Sequence, residues 1–501
     1  MSDPAPAIYV TDGSRQREQL TRCPRLRYLQ YHYNGVGYRL KAKSVPLVTG
    51  IRAHRAIQRI FEQQLEASDR DGLRKVIREQ VDTYHQAAKD GLQELANPRN
   101  QATPELSQAA VAQLGGFPVQ EGAEGLSQQS AQDYQEQQKR LRERAVAEQA
   151  CLLEGMLWGF VRVVLPFLQR HYQPLLVEDD RTLMLSCTCG LGDLTIGALD
   201  HRRRGCRGVG LMVRPDLVLQ HRETGAAMIT DWKTSGDVDE RRFREQHEDS
   251  LQLAVGAFTA ERVLGVPVDY GFVIGLNKGW SKGTIKDPVT GRYSGPREQD
   301  SIFTYGFYKQ GNPPLVEAEY HPRYDYVDHE GKNRKAVESK GFFRTPVWLV
   351  NFGQAQGQSG VEKLVMDLLP EELVRAEYAM VGPVQVPKDK LLSYFRQRTA
   401  LEVRWAQGLH RVEAARPQGL AAVVAVEEEE FPQSWDCWRY NKPCQMLGVC
   451  KFGAQLPTIP GEGDKYTFRW PHHKDERQQV QDHAPGFYQL MKEAAGEEED
   501  D

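Results

Sequence analysis

The chain reads as an α/β protein with a mixed central sheet flanked by helices, and three observations carry that reading. Apolar runs of strand length alternate with amphipathic helical stretches. Leu211 to Leu219 and Ala226 to Lys233 are β-type runs joined by Arg222-Glu223-Thr224-Gly225, the composition of a hairpin turn. A helical segment then separates that hairpin from another apolar strand, Tyr270 to Leu276, so strand, helix and strand follow in order.

Along the chain, helices come first. Ser14 to Tyr33 has Ser14 or Asp12 as a cap, with Leu20, Cys23 and Tyr28 among its less polar positions. A second helix is expected after Val45 to Gly50. Ile57, Ile60, Phe61 and Leu65 recur there at helical spacing, and His54 falls in the first turn. Residues 96–130 are rich in Gln, Ala, Gly and Ser and read as a flexible insertion, followed by a long helix from Ala131 to Arg170. Strands are expected at Leu175 to Glu178 and Leu183 to Cys187. After the hairpin, Arg242 to Val263 reads as a helix with Leu251, Val255 and Phe258 on its buried stripe and Gln252 off it. Residues 277–345 are turn-rich and aromatic and read as a hairpin-bearing insertion. Helices are expected from Ser359 to Met380 and from Pro387 to Glu413, and an acidic run, Glu427 to Glu430, precedes a cysteine loop.

With 501 residues, 40% of them apolar and 26% charged, the sequence describes a soluble globular chain of about three domains, or one large domain with insertions. The best apolar stretch, Met156 to Leu168, is interrupted by Arg162 and Pro166 and is short for a membrane span. The polar segment Met1 to Gln19 has no signal core, so a cytoplasmic protein is expected. A net charge of −4 gives no general attraction to nucleic acid, which leaves local basic patches: Arg22, Arg25 and Arg27; Arg202, Arg203, Arg204 and Arg207; Arg241, Arg242 and Arg244. There is no phosphate-binding G-x4-G-K-[ST] loop, so any helicase motor would be a separate chain.

The hairpin carries the chemistry. If Arg222 to Gly225 form the turn, His221 pairs with Ala226 and counting outward sets Asp216 opposite Asp231. Alternation along the strand puts Asp231 and Lys233 on the same face. D-x-K is common in ordinary charged hairpins, but here Val218 and Ile229 flank the acids while Leu217, Leu219 and Met228 line the other face. A hairpin apolar on both faces is an interior one, and interior carboxylates need partners. Two such carboxylates repel unless a cation lies between them, and oxygen ligands favour Mg²⁺ or Mn²⁺.

The cysteines are unevenly spread. Cys437, Cys444 and Cys450 form C-x6-C-x5-C, and Cys23 stands alone near the N-terminus as a possible fourth ligand. Four thiolates fit either a [4Fe–4S] cluster or a structural Zn²⁺. Cys187, Cys189, Cys206 and His201 offer a second set, but C-x-C on one strand is tight for chelation, and these cysteines, like Cys151, are expected in the core.

Cys23-Pro24-Arg25, Gly50…His54, Pro215-Asp216, Asp231-Trp232-Lys233-Thr234, Gln252 and the three late cysteines come in an order that resembles the RecB-like branch of the PD-(D/E)XK nuclease superfamily. More narrowly, it resembles the members with an iron–sulfur cluster, among them AddB-type, CRISPR-associated and phage exonucleases. The resemblance covers residues 14–275 and the cysteine loop. It implies a restriction-endonuclease-like core acting as a Mg²⁺- or Mn²⁺-dependent nuclease on DNA ends or single strands, in recombination, repair or phage DNA processing, alone or beside a helicase. A non-catalytic DNA-binding subunit is the alternative. It implies that Asp216, Asp231 and His54 hold the metal, that Lys233 positions or activates water, and that Gln252 orients the site. It further implies that Cys23, Cys437, Cys444 and Cys450 hold a [4Fe–4S] cluster joining the two ends of the domain. Two positions depart from the family pattern: Gly256 stands where a tyrosine is frequent, and the middle spacing is C-x6-C. The expected partition is N-terminal helices in 1–62, a helical insertion in 63–172, the catalytic core in 173–276 and a turn-rich β insertion in 277–358. A helical region in 359–425, the cysteine loop in 426–460 and an acidic-tailed segment in 461–501 complete it.

Overall fold

The computed structural model describes residues 8–13, 23–33, 36–40, 45–96, 152–189, 204–235, 250–277, 378–434, 442–452, 454–460, 466–471 and 473–495, with shorter pieces between them. In chain order these give β1 (Ile8–Thr11), α1 (Pro24–Tyr31), β2 (Tyr38–Leu40), α2 (Val45–Glu62), α3 (Arg70–Ala96) and α4 (Leu152–His171). There follow β3 (Tyr172–Val177), β4 (Arg181–Cys187), β5 (Gly208–Val213), β6 (Leu217–His221), β7 (Ala227–Ser235), α5 (Leu251–Leu264) and β8 (Val268–Asn277). After short strand pairs between Ser281 and Phe343 come β9 (Tyr378–Gln385), α6 (Leu391–Ala415), α7 (Leu420–Glu430), α8 (Leu447–Phe452), β10 (Tyr466–Phe468), α9 (Lys474–His483) and α10 (Pro485–Ala495).

The central sheet has the order β9-β8-β7-β6-β3. Its β7–β8 pair is parallel and joined through α5, and its other pairs are antiparallel, so the sheet is mixed. A smaller sheet, β1-β5-β4, lies beside it. Alternation along β6 and β7 splits the core in two. Leu217, Leu219, Met228 and Trp232 join the apolar faces of α2, α3 and α4, while Val218 and Ile229 join α5, α6 and the smaller sheet. This is the α/β architecture expected, a mixed central sheet with helices on both faces.

Several boundaries differ from the sequence reading. The run Leu211 to Leu219 is not one strand: Arg214-Pro215-Asp216 breaks it, leaving β5 in the small sheet and β6 in the central one. Proline has no N–H for a ladder, which accounts for the break. The second helix starts at Val45, since Pro46 is tolerated in a first turn, and His54 therefore sits mid-helix. The segment expected as helix up to Met380 ends differently: helix spans Gly360 to Leu368, and Tyr378–Gln385 is the fifth strand of the central sheet, burying Ala379 and Val381 beside β8. Leu251 is exposed, whereas Val255 is buried and Phe258 packs against the core as expected, and Leu253, Ala254, Ala257 and Ala260 complete the buried face of α5. The first helix is described only from Pro24, with Cys23 at its N-cap position and no side-chain capping bond. Residues 14–22, the 97–149 insertion, Cys151 and Cys437 lie outside the described residues. Helix α4 is, among the described residues, long and apolar enough to cross a membrane, contrary to the expectation of a short stretch, and 67% of that span is buried in the core.

Candidate active site

Trp232 fixes the register on which the site depends. Its indole is 2% exposed and packs face-on with Phe61 of α2 and edge-on with Phe160 of α4. Burying an aromatic of this size contributes about 2–3 kcal/mol. A one-residue slip of β7 would turn that indole away and drive Asp231 and Lys233 into the apolar layer instead. With Trp232 anchored, Asp231 and Lys233 project to the opposite face.

The hairpin register pairs Leu217 with Thr230 and Gln220 with Ala227, and one further step beyond Leu217 sets Asp216 opposite Asp231. The Trp232 N–H donates to Asp216 Oδ2 at 2.8 Å, tying the two strands at this rung. Lys233 Nζ lies 2.8 Å from Asp231 Oδ1 and 2.7 Å from Oδ2. Gln252, in the first turn of α5, completes the cluster: its Oε1 accepts from Lys233 Nζ at 3.2 Å, and its Nε2 reaches Asp231 Oδ1 at 3.5 Å. Ser250 caps that turn by accepting from the Leu253 N–H. Gly256 has a packing reason, since a Cβ there would meet Ile229 Cδ1 at 2.4 Å. A tyrosine at this position would separate α5 from β7.

A third carboxylate joins the rung, one that the sequence reading passed over. β3 pairs with β6 through a bulge at Leu175, beyond which Leu176 faces Val218 and Val177 faces Leu217. The next step sets Glu178 beside Asp216, and the Glu178 N–H donates to the Asp216 carbonyl at 3.0 Å. Glu178 has a φ of 40°, a left-handed conformation unfavourable for a side chain of this kind and a form of strain that gathers at functional sites. Ligand atoms of His54, Glu178 and Asp216 all lie within 4.8 Å of one another, with His54 Nδ1 3.8 Å from Asp216 Oδ2. The signal for Glu178 was an acid directly after a strand, but only the bulge brings it into phase.

The electrostatics are those of a cation site. Burial, then the neighbouring charge of Glu178, holds the Asp216 carboxyl above its usual range, opposed by the Trp232 N–H and Lys233. Burial, then Asp216, pushes Asp231 up to about 7. Burial raises Glu178 as well, and Arg214 offsets it from 3.2 Å. Half-buried carboxylates of Glu178 and Asp216 converging with an imidazole, beside the buried Asp231, form a donor set that suits a divalent ion such as Mg²⁺ or Mn²⁺. His247 faces the same charges; burial and Lys233 hold its pKa below the usual value.

The cysteines divide into two groups. Cys23 is buried in one cluster with Met446, Tyr466 and Phe468, against which Cys444 and Cys450 pack, so helix α1 and the C-terminal segments share a core. Cys23 Sγ also accepts from the Ser434 N–H at 3.4 Å, a few residues before the loop that carries Cys437. Cys187, Cys189, Cys206 and His201, the second possible set whose cysteines were expected in the core, converge with their ligand atoms within 4.8 Å. Their convergence was hidden because the chain between Cys189 and Cys206 folds back on β4. In the first basic patch, Arg27 does not reach the surface. Arg27 is fully buried, paired with Glu402 and stacked 4.2 Å over Trp405. Arg204 and Arg207 are exposed, whereas Arg202, Arg203, Arg241, Arg242 and Arg244 fall outside the described residues.

A family model described as the PD-(D/E)XK nuclease superfamily matches residues 15–278, a little over half of the chain and the segment that contains His54, Glu178, Asp216, Asp231, Lys233 and Gln252. Among curated proteins, none matches the chain.

Proposed function

The chain belongs to the PD-(D/E)XK nuclease superfamily, and from that premise we propose that it is a Mg²⁺- or Mn²⁺-dependent deoxyribonuclease acting on DNA ends or single strands. One observation supports this most: Glu178, Asp216 and Asp231 share a rung across three strands, with His54 close to Glu178 and Asp216 and Lys233 against Asp231. Asp216, Asp231, Glu178 and a neutral His54 would hold a divalent ion, which when bound would supply Lewis-acid polarisation of the phosphodiester and of the attacking water. Lys233, 30% exposed, offers positive charge where the pentavalent transition state gathers negative charge. Gln252 holds the ammonium and the Asp231 carboxylate in one orientation, which fixes the geometry without reorganisation during the reaction.

The same reading assigns Cys23, Cys437, Cys444 and Cys450 to a [4Fe–4S] cluster of the RecB-like branch, with structural Zn²⁺ as the competing occupant. The shared core of Cys23, Cys444 and Cys450 supports it. A cubane spreads its ligands wider than a single ion does. The reading also puts the protein in recombination, repair or phage DNA processing, with a helicase, where one takes part, as a separate chain.

The test is digestion of end-labelled single- and double-stranded DNA with Mn²⁺, with Mg²⁺ and with chelator, beside a visible spectrum of the purified protein. Ion-dependent release of mononucleotides or short fragments from labelled ends is expected. Tight DNA binding with no cleavage under any ion would favour the non-catalytic subunit instead.

A further inference from the structure

A second ligand set lies away from the acidic rung, on the connection between β4 and β5. Cys187 ends β4, and Cys206 stands two residues before β5. Cys187 Sγ is 2.7 Å from Cys189 Sγ and 2.8 Å from His201 Nδ1, and Cys189 Sγ is 3.1 Å from the same nitrogen. Cys206 completes the group. The imidazole is 1% exposed, and its far nitrogen, Nε2, lies 2.9 Å from Thr195 Oγ1. With Nε2 donating to that hydroxyl, Nδ1 carries the lone pair and faces the sulfurs, the tautomer a metal ligand needs.

The backbone is shaped around this point. Met184 N–H donates to the Thr195 carbonyl, and Leu194 N–H to that of Met184, folding the segment back onto β4. Leu194 takes a φ of 64°, an unfavourable conformation for a branched side chain. Cys206 N–H donates to the His201 carbonyl, and Thr188 and Arg207 hydrogen-bond in both directions, closing the loop at its neck. Core thiols that merely fill space have no need to meet an oriented imidazole. A disulfide accounts for two sulfurs and leaves a third thiol and the imidazole unexplained.

We propose that Cys187, Cys189, His201 Nδ1 and Cys206 hold a structural Zn²⁺. Three sulfurs and one nitrogen form a closed tetrahedral set with no position left for water or substrate, which makes the role architectural. The three thiols lose their protons to solvent as the ion binds. The ion then ties the end of β4 to the start of β5, the strand that leads through Arg214 and Pro215 into Asp216. It also fixes the loop that presents Arg204 and Arg207. The site is separate from the Cys23, Cys444 and Cys450 cluster, which lies in a different core.

The test is zinc analysis and zinc-edge X-ray absorption on the full chain purified without chelator. The expected result is about one zinc per chain, with three sulfurs at about 2.3 Å and one nitrogen at about 2.0 Å. Zinc below about a tenth of an equivalent, a four-sulfur shell, or a shell of oxygen and nitrogen alone overturns the proposal. Cys206→Ser should lose the zinc and lower the melting temperature by several degrees, while Cys444→Ser should keep the zinc. The reverse pattern overturns the assignment. Should Cys206→Ser fail to fold, the absorption shell of the unaltered chain still decides. A Cys187–Cys189 disulfide found by mass spectrometry of the alkylated protein also overturns it. None of these readouts uses nuclease activity, so a failure of the nuclease reading would leave the zinc result standing.

Discussion

Asp231→Asn should make the metal-free protein more stable and the metal-loaded protein dead. Asp231 is 5% exposed and faces Asp216 across the rung, and its carboxyl is pushed up to about 7 by burial and that neighbour. A folded-state pKa above the unfolded one means that stability is fully present below the ordinary carboxylate range and is lost as pH rises through about 7. Ionising such a carboxyl at pH 8 opposes folding by about 4 kcal/mol if nothing relieves it. Hydration and the partly solvated Lys233 ammonium reduce this, so a net gain of about 2 kcal/mol is expected for the isosteric amide, a rise of roughly 4–8 °C for a domain of this size. Saturating Mn²⁺ reverses the ranking. At one hundred times its dissociation constant an ion adds about 2.7 kcal/mol to a protein that binds it, and the variant should gain little. Thermal melts at pH 5 and pH 8, with EDTA and with Mn²⁺, measure all four corners, and cleavage should fall by on the order of 10³-fold. If the variant melts below the unaltered protein in EDTA at pH 8, or keeps the full Mn²⁺-induced shift, the account of this carboxylate is wrong.

Other substitutions probe other parts. Lys233→Gln should lower cleavage by about 10²–10³-fold while leaving the Mn²⁺-induced melting shift intact; loss of that shift would make Lys233 a structural group instead. Glu402→Ala removes the shared counter-charge of Arg27 and Arg398, all three fully buried, and should cost about 3–5 kcal/mol in urea unfolding, with a loss under about 1 kcal/mol contradicting the network. Glu154, pushed up to about 7 by burial in α4, destabilises the fold once ionised, so Glu154→Gln should raise stability by about 1–2 kcal/mol at pH 8 and leave it unchanged at pH 5. An equal gain at both pH values would point to packing. Cys444→Ser should bleach the visible absorption of the purified protein and lower its stability; a colourless variant as stable and active as the original would remove the idea of a staple.

The hairpin that carries Asp216, Asp231 and Lys233 was legible because two local rules agree there. A four-residue turn fixed the register, and the alternation of Trp232 between Asp231 and Lys233 fixed the face. Glu178 was not legible, since its phase depends on a bulge at Leu175 opposite β6 and no local pattern announces that shift. The fifth strand was missed for a different reason. Tyr378–Gln385 pairs with β8 across an insertion of about a hundred residues, and a short apolar run far from its partner looks as much like helix as strand. The Cys187 group was undervalued because C-x-C spacing alone is unfavourable for chelation. What rescues it is a fold-back that delivers His201 and Cys206 to the same point. Arg27 illustrates the opposite error: a cation placed in a basic patch open to nucleic acid is interior because Glu402 arrives from helix α6 to meet it.

The central claim is that one divalent ion belongs among His54, Glu178, Asp216 and Asp231, on the face that Lys233 shares. Anomalous scattering from crystals soaked in Mn²⁺ tests it most directly. A single strong peak is expected within coordination distance, about 2.0–2.4 Å, of carboxylate oxygens from Asp216 and at least one of its two acidic neighbours. A peak held only by other residues, or a fully loaded, cleaving enzyme with no peak at this rung, would contradict it.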